Sequence, residues 1–405
     1  MAWRGRAMLQ IPHWNRFHSN HDTLILSIVP ATTKLRWPAA SGYASCHVAE
    51  IKIKNRNDIR VSRMAEQKMA TLKDVARLAG VGSGTVSRYV SGNGSVSPKS
   101  AEKIARAITQ LKYRPNSIAR SLSSRRSDLL GVWVPSLEGP YYQMMIRAIE
   151  LELRQQGKHM ILANAEDAQT DEDRLGHIDY LINRDCDGIL MSGSRLGEFK
   201  LASLSERYPN LVCINREVEA LPGRAFSIDH DLGGRLAARH LHGLGHRKIA
   251  VITGRLSAQD AKQRHGGFVD EMARLGDPVA PERIIEGAFS YAGGERAADM
   301  LLRSSAKFTA VFCGNDKVAM VVASRLQASG VSVPDEVSVL GYDNVDFAEY
   351  MVPALSTIHA PIVEMTQSAC RQLLNLTYGL DLPFRERFEP ALCARKSTAP
   401  PPSAP

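Results

Sequence analysis

Residues 71–127 read TLKDVARLAG VGSGTVSRYV SGNGSVSPKS AEKIARAITQ LKYRPNSIAR SLSSRRS. Thr71-x-x-Asp74 has the spacing of a capping box, in which a hydroxyl and a carboxylate satisfy N–H groups that a helix start leaves unpaired. Behind it, Leu72, Val75, Ala76 and Ala79 recur at helical spacing, and Gly80 ends the run because a residue without Cβ tolerates the left-handed turn. The pattern predicts a second short helix from about Ser83 to Val90, with Val86 and Val90 inward. Ser97-Pro98 opens a third as N-cap and first helical residue, with Ala101, Ile104, Ala105, Ile108 and Leu111 inward. Helix, glycine turn and helix is the spacing of a DNA-binding helix-turn-helix, whose second helix enters the major groove. An ordinary helical hairpin is the other reading. In the DNA reading Ser83, Gly84, Thr85, Ser87 and Arg88 face the groove, and Thr71 is counted with them. Arg88 can fork onto a guanine, while the hydroxyls of Thr85 and Ser87 suit phosphate oxygens. Asn116 caps a further helix of fewer than two turns before Ser123-Ser124-Arg125-Arg126. So short a helix is unstable alone and needs a partner to fold, DNA being one. A plain basic linker is the alternative.

The charge around this stretch is lopsided. Residues 69–127 hold 11 Lys+Arg against 2 Asp+Glu, residues 1–68 hold 11 against 4, and residues 128–405 hold 29 against 36. A small basic block on a larger acidic body fits a polyanion-binding module; a solvated basic face is the bland reading. The chain of 405 residues allows two or three domains. Its 44% hydrophobic and 23% charged residues exclude collagen-like, disordered and disulfide-scaffold classes. No apolar run reaches the 18 residues of a membrane-spanning helix, and the expected location is the cytoplasm. The six cysteines are scattered without C-x-x-C, which fits a reducing compartment and argues against a zinc site. Residues 1–68 show no sustained period and are expected to be a disordered arm or upstream translated sequence, with a targeting arm as the alternative.

Downstream of residue 128, strand and helix patterns alternate. Apolar runs at Leu129–Val134, His159–Ala163, Gly188–Met191, Leu211–Ile214, Ile249–Thr253, Thr309–Cys313 and Val337–Leu340 predict strands. Amphipathic stretches at 141–156, 171–184, 230–243, 258–275, 294–303, 316–329 and 361–378 predict helices. Alternation of this kind implies parallel sheets covered on both faces. Some 270 residues is much for one open sheet, so two α/β lobes are expected. The Pro-rich tail 399–405 is expected to be disordered.

The ordered set of motifs resembles the LacI/GalR family of bacterial transcriptional regulators. It runs from the quoted stretch through Ile228-Asp229-His230-Asp231, Leu244-Gly245-His246-Arg247, Arg264-His265-Gly266-Gly267-Phe268, Gly314-Asn315-Asp316-Lys317, Val333-Pro334-Asp335-Glu336 to Gly341-Tyr342-Asp343, covering about 69–398. The resemblance implies an all-α helix-turn-helix head over 69–115, a hinge helix and linker over 116–127, and an effector-binding, dimerising body over 128–398. That body would be two doubly wound parallel-sheet lobes like periplasmic sugar-binding proteins. It implies a homodimer on a near-palindromic DNA operator, with Asn116 capping the hinge helix and Ala119 and Leu122 inserted in the minor groove. A leucine wedged at a base step bends the duplex. Two positions depart from the family: Gly82 stands where the recognition-helix N-cap is usually Ser, and Gly84 offers no side chain for base reading.

For the body the resemblance implies an effector cleft. Arg264 matches an arginine that forks onto effector oxygens. Asn315 and Asp343 match polar acceptors of the second lobe, Phe289 an aromatic platform, and Tyr141, Tyr142 and Asn215 line the first lobe. Such a set favours a polyhydroxylated ligand, a sugar first and a nucleoside or purine second. No cofactor is implied. No phosphate loop, nucleophile elbow or H-E-x-x-H occurs, so catalysis is not expected. A solute-binding protein is the rival reading; it requires export, and the basic head and the lack of a signal peptide speak against it. His246 reads as a structural turn residue, and no leucine heptads follow residue 380 to form a tetramerising tail.

Overall fold

The computed structural model describes residues 70–91, 94–113, 126–193 and 196–402. The expectations for residues 1–68 and for Asn116, Ala119 and Leu122 lie outside the described residues. The head consists of α1 (Leu72–Ala79), α2 (Ser83–Ser91) and α3 (Pro98–Leu111). The capping box forms: Asp74 N donates to Thr71 Oγ1 at 3.3 Å and Thr71 N to Asp74 Oδ2 at 2.9 Å. Gly80 takes a φ of 64° at the end of α1, and Ser97 Oγ accepts from Ser100 N at the start of α3. Val75, Ala76, Ala79, Val86, Ile104 and Ala107 close a small core of their own. Ala107 is buried there, whereas Ala101 and Ala105 are half-buried, because the inward stripe of α3 is narrower than the periodicity suggested.

The body holds two sheets. The first orders β2 (His159–Asn164), β1 (Leu129–Val134), β3 (Gly188–Ser192), β4 (Leu211–Ile214) and β5 (Ala225–Phe226), all parallel. The second orders β11 (Ala391–Cys393), β10 (Ser356–His359), β9 (Ser338–Asp343), β8 (Ala310–Cys313), β6 (Ile249–Thr253) and β7 (Ile284–Glu286). One strand departs from the expected all-parallel sheets: β11 pairs antiparallel to β10. It is a short edge strand on a returning chain, and needs no crossover helix. The central strands are buried on both faces, which is why they read as unbroken apolar runs.

α4 (Pro140–Gln155), α5 (Asp171–Ile182), α6 (Glu198–Arg207) and α11 (Ile362–Tyr378) pack on the first sheet. α7 (His230–Gly243), α8 (Gln259–Arg274), α9 (Tyr291–Arg303) and α10 (Asp316–Ala328) pack on the second. The chain crosses between lobes three times: after β5, between β10 and α11, and between α11 and β11. α7 and α8 cross closely because Gly234 and Gly267 lack side chains; a Cβ on either would meet backbone oxygen of the other helix at 2.2 or 2.1 Å.

Ala399, the first residue of the tail expected to be disordered, is instead held in place. Ala399 N donates to Ser338 Oγ at 3.0 Å, and Ala399 O accepts from Ser338 Oγ at 3.0 Å and from the His246 ring at 2.9 Å. Both partners are buried, and buried polar groups hold whatever segment completes their hydrogen bonds. Proline content set the expectation; at Ala399 the backbone overrides it. Among the described residues no helix is long and apolar enough to cross a membrane.

Candidate functional site

In each sheet the chain winds outward in both directions from a central pair of strands, β1 with β3 and β6 with β8. Loops diverge at those switch points and leave a crevice beyond the carboxyl ends of the strands. The two crevices face each other. Together they enclose a cleft of about 350 Å³ lined by all seven residues expected to bind an effector: Tyr141, Tyr142, Asn215, Arg264, Phe289, Asn315 and Asp343.

Arg264 is the centre of it. Its side chain leaves the second turn of α8 and is almost wholly buried. Nη1 donates to Gly314 O at 2.7 Å and to Asp343 Oδ1 at 3.3 Å, Nη2 lies 3.5 Å from Asp260 Oδ2, and Nε donates to His230 Nδ1 at 3.3 Å. The guanidinium lies 4.0 Å over the Tyr342 ring. Arginine can only donate, so His230 Nδ1 is an acceptor and the imidazole carries its proton on Nε2. That Nε2 bonds Asn215 Oδ1 at 2.8 Å, and Asn215 Nδ2 donates back to Asp260 Oδ2 at 3.2 Å. The Tyr342 hydroxyl completes the set at 2.9 Å from His230 Nδ1. Asn215 belongs to the first lobe and the others to the second, so a closed ring of polar groups spans the lobe boundary.

Burial sets the charges. It holds the His230 imidazole neutral, well below its ordinary range, with the adjacent guanidinium acting in the same direction. Burial pushes the Asp343 carboxyl up to about 7 against the pull of Arg264, and pushes Asp316 up to about 8 with Asp343 adding to the rise. Asp316 accepts from Thr357 Oγ1 at 2.5 Å and from Val345 N at 2.9 Å, and so ties down the loop that follows Asp343. Asp343 and Asn215 sit at φ of 112° and 58°, a backbone region that side-chain-bearing residues rarely occupy.

Phe289 lies flat against the backbone of Gly254 and Gly314, where any Cβ would strike its ring at 2.5 and 2.8 Å. Tyr141 and Tyr142 meet edge to face at 5.2 Å at the start of α4, and the buried Tyr141 hydroxyl has no protein partner. Asn315 lines the cleft and also caps α10, its Oδ1 accepting from Val318 N at 2.9 Å.

Sequence reading passed over Asp260, His230, Tyr342 and Lys317. Asp260 was findable as the acid four residues before Arg264 on one helix. His230 and Tyr342 lie inside Ile228-Asp229-His230-Asp231 and Gly341-Tyr342-Asp343 with no local sign of a role. Lys317 crosses the cleft mouth, with Nζ 3.5 Å from Glu138 O of the other lobe.

In the head, Ser83, Gly84, Ser87 and Arg88 lie exposed on α2, Thr85 is half-buried, and Thr71 is exposed at the start of α1. Arg88 Nε lies 3.4 Å from Gly84 O. Among the described residues no cluster of His, Cys, Asp or Glu could hold a metal ion, and Cys186, Cys213, Cys313, Cys370 and Cys393 are free thiols.

A family model described as bacterial regulatory proteins, lacI family, matches residues 71–116, and one described as periplasmic binding protein-like domain matches residues 238–398. The chain is 34% identical over 334 residues to the HTH-type transcriptional regulator GalR of Salmonella typhimurium (strain LT2), over 82% of this chain and 97% of that protein. The lac repressor dimer bound to operator and the anti-inducer ONPF superposes with a TM-score of 0.74 at 27% identity, over 82% of this chain and 100% of that one. The complex of the transcriptional regulator CelR with cellobiose gives a TM-score of 0.60 at 29% identity, over 81% of this chain and 99% of that one.

Proposed function

The chain belongs to the LacI family of bacterial regulatory proteins, and from that premise we propose how its two parts share the work of a DNA-binding transcriptional regulator. It represses transcription as a homodimer on a near-palindromic operator, in the cytoplasm at the nucleoid. Ser83, Gly84 and Arg88 read bases, Thr71, Thr85 and Ser87 hold phosphates, and Asn116, Ala119 and Leu122 act at the minor groove. Affinity comes largely from Lys and Arg on phosphates and falls steeply with salt. A sugar is the effector. It binds in the interlobe cleft against Arg264, Asp343, Asn315 and Asn215, with its C–H face on Phe289 and Tyr141 and Tyr142 closing over it.

The observation that carries this reading is the ring around Arg264. Its members come from both lobes, so a ligand that takes over any of Arg264's bonds changes what holds the lobes together. Effector and operator then bias one two-state element, and each alters the other's affinity by the same factor. The unpartnered Tyr141 hydroxyl supports a hydroxylated ligand.

The test starts with a melting-temperature screen of D-glucose, D-galactose, cellobiose and adenosine. Operator binding by Arg264→Ala is then compared with wild type at the compound that stabilises most. Loss of the response with operator binding retained is expected; an unchanged response sinks the assignment. Adenosine as the stabilising compound replaces the sugar with a nucleoside. Leu122→Ala should weaken operator binding more than binding to random duplex.

A further inference from the structure

The amino ends of the first lobe's strands carry a polar knot that effector and operator binding leave unused. Asp187, the residue before β3, accepts from Ser127 N at 2.9 Å, from Asp128 N at 2.8 Å and from the Tyr378 hydroxyl at 2.8 Å. Its own carbonyl is held by Asn210 Nδ2 at 3.0 Å, and its N–H donates to Leu129 O at 2.8 Å. Lys158 Nζ bonds Asp128 Oδ1 at 2.5 Å and lies 3.8 Å over the Tyr378 ring; the Arg126 guanidinium lies 5.3 Å over it. Asp128 is held at a φ of 59°. A side chain with two carboxylate oxygens thus takes three donors, two of them backbone N–H groups of the residues on which the linker ends.

Tyr378 is the last residue of α11. That helix begins at the lobe boundary, where Ala360 N donates to Asp343 O at 3.4 Å, and runs 17 residues to the knot, about 25 Å at helical rise. It is buried along most of its length, and Gly188 lets it press against the start of β3: a Cβ there would meet Thr377 and Leu373 at 2.7 and 2.8 Å. One stiff element therefore starts two residues after a backbone bond to the cleft residue Asp343 and ends at the root of the linker.

We propose that Asp187 and Tyr378 are positioning residues for operator recognition. They fix the direction in which the linker leaves the first lobe, and with it the separation of the two linkers in a dimer. This rests on the DNA-binding reading above. Random DNA demands no set separation, so the knot governs preference for the operator rather than affinity for DNA.

The experiment uses the full chain. Wild type selects an inverted-repeat duplex from a random library, and binding to that duplex and to a random duplex of equal length is measured for wild type, Asp187→Asn and Tyr378→Phe. Both variants are expected to lose about tenfold or more of the preference, within the usual range of coupling between sites. Affinity for random duplex and melting temperature stay near wild type, and amide exchange at residues 127 and 128 rises in Asp187→Asn. A preference within twofold of wild type in both variants overturns the proposal while the DNA reading stands. Selection of no duplex by wild type overturns the DNA reading and the proposal with it. Should Asp187→Asn fail to fold, Tyr378→Phe, which removes one oxygen, decides alone.

Discussion

The head and the cleft solve recognition in opposite ways. On α2 Ser83, Gly84, Ser87 and Arg88, the residues proposed to face the groove, are exposed and sit within six residues of one another. Around the cleft the polar groups are buried, come from residues 215 to 343, and bond chiefly to each other. An exposed reading surface can change without cost to the fold, because water already satisfies it. A buried ring cannot, because its members supply most of one another's hydrogen bonds in place of lost solvent.

The contrast is sharpest at its two arginines. Arg264→Ala leaves the buried Asp343 and the half-buried Asp260 without their cation, and breaking the buried Arg264–Asp343 pair this way costs about 3 kcal/mol, the low end of the usual range because Asp343 can take a proton. Urea unfolding of the body should show that loss. Arg88→Ala should leave unfolding unchanged and reduce discrimination among operator variants by about 1–3 kcal/mol, the worth of one forked base contact. Equal stability losses at the two sites would erase the distinction.

The same difference decided what the sequence made legible. The head was readable because its signals are local: a cap, a stripe, a glycine and a Ser-Pro start lie within one turn of what they control. Strands β1, β4 and β6 matched their expected bounds because burial on both faces demands continuous apolar runs. Ala225–Phe226, Ile284–Glu286, Ser356–His359 and Ala391–Cys393 escaped, being two to four residues long or polar. α6, Glu198–Arg207, escaped because its apolar residues do not keep a clear period. The cleft is invisible to any window of sequence, since contacts such as Arg264 to Asp343 join residues 79 apart. Resemblance to a family supplied its residues, and only the folded chain supplied the ring, with His230 and Asp260 in it.

Titration separates the regions again. Asp343 and Asp316 are raised to about 7 and 8, above an unfolded value of about 3.9, so the native state holds protons that the unfolded state has released. Their stabilisation is complete below about pH 4 and is lost as pH rises through 7 and 8. His230, His240, His246 and His265 are lowered from 6.5, so they raise stability with pH only up to that point. Above pH 6.5 the carboxyl effect stands alone: the body should lose about 2 kcal/mol between pH 6.5 and 8. Asp316→Asn should flatten much of that slope. A rise in stability over this window would contradict the buried, protonated carboxyls.

The smallest effect belongs to the head and tests whether its stability is local as well as its reading. Thr71 caps α1 through its hydroxyl and donates its own N–H to the Asp74 carboxylate in return, so Thr71→Ala leaves the N–H of Asp74 without its side-chain cap and costs about 1 kcal/mol. The head's core of Val75, Ala76, Ala79, Val86, Ile104 and Ala107 is separate from the clusters of the body. The loss should therefore appear as faster amide exchange in α1 through α3, with exchange in β1 and β6 unchanged. Operator affinity should fall further than the folded fraction of the head alone accounts for, because Thr71 is also proposed to hold a phosphate, and the effector's effect on the body's melting temperature should stay as in wild type. If exchange in the body quickened together with the head, the two regions would unfold as one unit, and mutations on α2 could not be read as DNA effects alone.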